Sequence, residues 1–197
     1  MRAFATRLLE PRLFLTVVAA SAVMVASAAF AAPVTYIANL SGPNESPPNA
    51  SPGTGFAQVD MDATAHTMHV HASFSGLTGN TTASHIHAPT AVAGTGTAGV
   101  ATMTPYFAGF PIGVTSGVYD NTFDMTLSSS YNASYIAANG GTPASAETAL
   151  NSAIAAGKAY FNIHSSTFPG GEIRGFLIPE ATPNLKSTWG RIKSLYH

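Results

Sequence analysis

The run TMHVHASFS, residues 67–75, alternates without a break: Met68, Val70, Ala72 and Phe74 are apolar, while His69, His71, Ser73 and Ser75 are polar. Successive side chains of a strand point to opposite faces. Such alternation therefore specifies a sheet with one face in a core and the other outside it. Similar patterning marks VTYIANL from Val34, FAQVDMD from Phe56 and GVYDNTFDMTL from Gly117. Between these runs lie SGPNESPPNASPGTG, a Pro- and Gly-rich loop, ATAH, a hairpin-like turn, and STFPGG near the end; none of these suits a sheet interior. Many short strands at regular spacing predict an all-β domain, an antiparallel β-sandwich or barrel. One segment breaks the pattern. TPASAETALNSAIAAGK places Pro143 early, Glu147 in the first turns and Gly157 at the close, with Ala149, Leu150, Ala153 and Ile154 on one stripe. These signals predict one short helix over 144–156. Residues 90–102, rich in Gly, Thr and Ala, fit a strand of small residues or a loop.

The start of the chain has a different character. Arg2, Arg7 and Arg12 accompany the apolar run LFLTVVAASAVMVASAAF, and Ala29-Phe30-Ala31 supplies small residues for cleavage. This is the pattern of a signal peptide over 1–31, ahead of a secreted or periplasmic domain over 32–180. A transmembrane anchor is the competing reading, since the run approaches the roughly 20 residues a span needs. The polar, strand-like sequence directly after Pro33 favours cleavage. At the other end, ATPNLKSTWGRIKSLYH (181–197) is a separate basic tail with Lys186, Arg191 and Lys193. Trp189, Ile192, Leu195 and Tyr196 share a helical face there, as in an amphipathic docking or membrane-surface segment; a frayed terminus is the simpler alternative.

Charge and cysteine content narrow the chemistry. The chain has eight Lys and Arg and nine Asp and Glu; without Arg2, Arg7, Arg12 and Glu10, five and eight remain, a charge of about −3. No basic surplus exists to neutralise a phosphate backbone, which argues against nucleic acid as a partner. There is no cysteine. An exported domain must then be held by its core, or by core and metal, without disulfides. Thiolate zinc, iron–sulfur clusters and blue copper are ruled out with it. No nucleophile elbow, P-loop or dinucleotide fingerprint occurs.

The histidines carry what remains. In TTASHIHAP, His85 and His87 project to one face, about 6–7 Å apart along the backbone, with Ile86 opposite. AYFNIHS repeats this, with Phe161 and Ile163 on one side and Tyr160, Asn162 and His164 on the other. With His69 and His71, five of the seven histidines lie on non-aliphatic strand faces. Neutral imidazoles on rigid backbone suit zinc or copper. The candidate ligands are His85, His87 and His164, with His69 and His71 in reserve; His66 in a turn and His197 at the terminus stand apart. Glu45, in a loop stiffened by Pro47 and Pro48, and Glu172 are candidates to add an oxygen ligand or to hold an imidazole. For Glu172 and Arg174, neighbours on one face of GEIRG, the simpler expectation is an ion pair that pins the last strand. The alternative to metal is a solvated or merely structural set of histidines.

Three pieces of the chain, ANLSGPNESPP, GLTGNTTASHIHAP and GKAYFNIHSSTFPGGEIRGFL, together resemble the chordin-type domain, CHRD. The last is the most specific, joining Asn-x-His, a Pro-Gly-Gly turn and Gly-Glu-Ile-Arg-Gly. The resemblance spans roughly Val34 to Pro179. It implies an all-β module of the kind found in animal chordin and in many exported bacterial proteins. The growth-factor binding of animal chordin does not carry over to a chain with one module, and the resemblance implies no reaction. Two functions follow as expectations. One is an exported domain that binds copper or zinc through strand histidines. The other is a non-catalytic extracellular module that meets a protein or a surface in adhesion or matrix assembly. A metal-dependent enzyme with an open site ranks behind both.

Overall fold

The computed structural model describes residues 32–181. The expected signal peptide and, from residue 182, the basic tail lie outside the described residues. The alternating segments become β1 (Val34–Ser41), β2 (Thr54–Asp62), β3 (Thr67–Ser75), β4 (Thr81–His87), β5 (Gly117–Asp124) and β6 (Tyr160–Ser165), followed by β7 (Ile173–Phe176) and the short β8 (Ile178–Pro179). They form one antiparallel sheet in the order β4-β6-β7-β1-β2-β3-β5, with β8 also pairing β1. The sheet curls into a half-barrel, the barrel-like arm of the expectation.

Alternation sets what lies inside. Ala57, Val59 and Met61 of β2 and Met68, Val70, Ala72 and Phe74 of β3 are buried, as are Ile86 of β4 and Phe161 and Ile163 of β6. Each large aliphatic or aromatic side chain so buried contributes about 1.5–3 kcal/mol. The hairpin turn at 63–66 holds β2 against β3 in unbroken register, Asp62 opposite Thr67 and Thr54 opposite Ser75.

The predicted helix is α2 (Pro143–Ala155), preceded by a six-residue helix, α1 (Ala133–Ala138), that the sequence reading missed. Thr142 caps α2 by accepting from the Ser145 N–H, while the Ser145 hydroxyl donates back to the Thr142 carbonyl. Ala146, Leu150, Ala153 and Ile154 face the core. Glu147 is buried too and meets His66 Nδ1 at 2.8 Å.

The segment between β4 and β5 does the work of a missing strand. Ala101 and Phe107 donate their N–H groups to Ile86 and Ser84 at 2.9 and 3.1 Å, and Thr81 donates to Val114 at 2.8 Å. The Phe107 ring packs against Tyr119 and Phe123 of β5 and Phe161 of β6, with centroids 5.4–6.1 Å apart. This irregular chain thus satisfies the outer edge of β4 and spans towards β5. Residues 90–102 are mostly loop rather than strand.

Candidate metal centre

β4 and β6 lie side by side at the end of the sheet, with Ile86 opposite Phe161, His85 opposite Asn162 and Ala83 opposite His164. Antiparallel pairing sets His85 and His87 beside Asn162, His164 and Tyr160 on one face. Unlike the outer face of β3, this face is covered, and every residue of β6 is buried. The covering comes from the irregular segment after β4 and from the Pro-Gly-Gly turn before β7.

The covering loops supply hydrogen-bond acceptors. Nδ1 of His87 donates to the carbonyl of Ala98 at 2.8 Å, Nδ1 of His85 to Pro105 at 3.2 Å, and Nδ1 of His164 to Pro169 at 2.9 Å. A carbonyl oxygen only accepts, so these contacts put the proton of each neutral ring on Nδ1. Every Nε2 is then a bare lone pair. The Nε2 atoms of His85 and His164 nevertheless face each other at 3.0 Å. Nε2 of His87 is buried with no hydrogen-bond partner. Two lone pairs at that distance repel, and a buried acceptor left unpaired costs free energy. A cation among the three nitrogens removes both penalties.

The three histidines offer ligand atoms that all lie within 4.8 Å of one another. In a tetrahedral site with metal–nitrogen bonds of about 2.05 Å, ligand nitrogens are about 3.3 Å apart, so the group closes by at most about 1.5 Å to hold an ion. Burial favours the neutral rings. It pushes the His85 pKa down to about 3, with help from the neighbouring His87 and His164, and the His87 pKa down to about 4. Burial lowers His164 as well. The donors are thus unprotonated and oriented. Imidazole nitrogen suits zinc or copper, whereas calcium and magnesium require oxygen.

A second layer backs His87. The Tyr160 ring stacks on it with centroids 4.6 Å apart and planes within 9°. Arg174 lies over the outer part of this stack, 4.6 Å from the Tyr160 centroid, and donates Nη1 to the Gly96 carbonyl at 3.1 Å. Glu45 accepts from Asn162 Nδ2 at 2.6 Å and approaches Arg174 Nε at 3.7 Å. Burial raises its carboxyl to about 7, against the opposing effects of Asn162 and Arg174. Gly171, at φ 132°, leaves room for it: an added Cβ there would sit 2.8 and 2.9 Å from the two carboxylate oxygens.

The other candidates have different partners. His69 and His71 lie on the half-exposed outer face of β3, where His69 meets Asp60 and Asp120, both at 3.1 Å, and His71 meets Asp120 at 3.0 Å. They do not join the three-histidine group. Neither carboxylate joins it: Glu45 holds Asn162, and Glu172 is tied elsewhere. The expected Glu172–Arg174 ion pair is absent among the described contacts, because β7 begins only at Ile173 and the alternation does not extend back to Glu172. Instead, the fully buried Glu172 accepts from Ser51 Oγ at 2.6 Å and from the N–H groups of Thr78 and Gly79. Arg174 turns to Glu45.

Residues missed by the sequence reading include Ala98, Pro105 and Pro169, which act through backbone carbonyls and so leave no side-chain signature. Tyr160 and Asn162 had a usable signal, since they share the alternation of His164. No curated protein and no solved structure matches the chain. The family model of the CHRD domain matches residues 36–177, which takes in most of β1, strands β2 to β7, the three histidines and the Pro-Gly-Gly turn. The chain belongs to the CHRD domain family.

Proposed function

We propose that this protein binds one transition-metal ion, copper or zinc, through Nε2 of His85, His87 and His164. The observation that carries the reading is the common orientation of the three rings. Each spends its Nδ1 proton on a backbone carbonyl, which leaves Nε2 of His85 and His164 facing each other at 3.0 Å and Nε2 of His87 buried without a partner. Solvated surface histidines have no reason to share one tautomer and one focus. The role fits an exported protein that sequesters, delivers or uses the ion outside the cytoplasm, in line with the Arg-rich, Ala-Phe-Ala start of the chain. Mass spectrometry of the released protein tests the export part, with an N-terminus near Ala32 expected.

The metal reading is tested by titrating zinc and copper into the purified protein. His85→Ala, His87→Ala and His164→Ala should each weaken binding at least about tenfold, on the order of 1.4 kcal/mol. His66→Ala and His71→Ala should leave it unchanged. Binding that survives all three substitutions at the centre would refute the reading.

A further inference from the structure

The ligand set has no negative charge, and neither do its immediate supports. All three Nδ1 partners are backbone carbonyls, in positions where a carboxylate would help to offset a divalent ion. The two buried carboxylates nearby have other partners: Glu45 holds Asn162 and faces Arg174, and Glu172 holds Ser51 and two backbone N–H groups. The cation that is close, Arg174, stacks on the ring that stacks on His87, so it opposes a positive guest. The cost of moving an ion out of water grows as the square of its charge. A divalent ion here faces about four times the desolvation cost of a monovalent one, without a compensating anion.

Space points the same way. Zn²⁺ completes a tetrahedron with a fourth ligand, and Cu²⁺ favours tetragonal sites with four or more. Here Nε2 of His87 has essentially no accessible surface, and His85 and His164 are 6% and 9% exposed. A hydroxide able to serve as both fourth ligand and counter-charge has to displace packed loop. Three convergent neutral nitrogens instead complete the shell of Cu⁺, which is content with three ligands and one charge.

We infer that the three-histidine centre selects Cu⁺ over Cu²⁺ and Zn²⁺. The inference rests on the metal-binding reading above and gives it an oxidation state. Its thermodynamic consequence is a raised copper couple, by about 59 mV for each tenfold preference for Cu⁺ over Cu²⁺.

The test uses the full chain, stripped of metal, and measures three dissociation constants. Cu⁺ is titrated anaerobically against a colorimetric chelator, and Cu²⁺ and Zn²⁺ against chelators of known affinity. Cu⁺ should bind at least 100-fold more tightly than either divalent ion. Asn162→Asp, which sets a carboxylate at the register position opposite His85, should narrow that ratio at least tenfold, with circular dichroism confirming the fold. Should this variant not fold, the wild-type ratio alone decides. Cu²⁺ or Zn²⁺ bound as tightly as Cu⁺ overturns the selectivity and leaves metal binding intact. Failure to bind any of the three ions removes the metal reading itself, and the selectivity with it.

Discussion

Replacing Glu172 with Gln separates a structural carboxylate from a metal ligand. Glu172 is fully buried, and its oxygens accept from Ser51 Oγ, the Thr78 N–H and the Gly79 N–H. Burial alone raises its carboxyl, but hydrogen bonds from Ser165, Ser51, Thr78 and Gly79 outweigh that and hold the pKa below the ordinary 4.5. Gln preserves shape while losing the charge, and its amide NH₂ faces a donor where an acceptor stood. Hydrogen bonds to a charged group contribute about 1.5–3 kcal/mol each, and an unsatisfied buried donor costs about 1–3 kcal/mol. Weakened bonds to the remaining oxygen and one opposed donor give a loss of about 3–5 kcal/mol, a large share of the roughly 5–15 kcal/mol that holds a domain folded. Urea denaturation of wild type and variant measures it, at unchanged slope. A folded-state pKa below the unfolded one stabilises the protein above that unfolded value and ceases to do so as the pH falls through the lowered one. The difference between the two proteins should therefore shrink in acid. Metal affinity should stay at the wild-type value under folding conditions. A loss under 1 kcal/mol, or a folded variant that no longer binds metal, would refute the argument.

Three further outcomes follow from the geometry. In metal-free protein, His85 and His87 stay neutral to about pH 3 and 4, whereas the unfolded chain takes up protons near 6.5. The unfolded state then binds more protons below 6.5, so stability falls with acid by up to about 1.4 kcal/mol per pH unit per histidine; urea midpoints that stay flat between pH 7 and 5 contradict this. Gly171→Ala drives a methyl into the Glu45 carboxylate at a positive φ, and about 2 kcal/mol of stability should be lost, read as a lower thermal midpoint. His69 is raised above 6.5 by hydrogen bonds to Asp60 and Asp120. Its contribution is complete below pH 6.5 and declines above it, so His69→Gln should destabilise the protein more at pH 6 than at pH 9 by thermal melting.

How much the sequence reveals depends on the range of the interaction. Strands β1 to β7 are legible because side-chain alternation is local: Met68 and Val70 declare their face without knowing their neighbours. The same local rule cannot separate His69 and His71 from His85 and His87, since both pairs alternate alike. The difference lies in what covers each face, loop carbonyls over β4 and open solvent over β3, and cover is tertiary. Helix α1 escapes notice because six residues are too few to show a stripe, although Asn132 does cap it by accepting from the Ser134 N–H. The edge-satisfying segment around Phe107 reads as loop because Pro105, Gly109 and Pro111 break every pattern. Its function rests on backbone hydrogen bonds that no side chain announces.

His85 and His164 are separated by 79 positions in sequence, though their strands are neighbours. The intervening chain contains β5, both helices and the segment that satisfies the edge of β4. Closing so long a loop is an entropic cost met late in folding, after the local hairpins can form. Until then the chain offers an ion only isolated His-x-His pairs, His69 with His71 and His85 with His87. If the proposed metal site holds, tight capture belongs to the native state alone, and the ion's binding energy would be converted into resistance to unfolding, about 2.7 kcal/mol at a free concentration 100 times the dissociation constant. A chain that crosses a membrane unfolded would arrive empty and acquire its ion at its destination, where the free concentration of the metal would set how long the fold lasts.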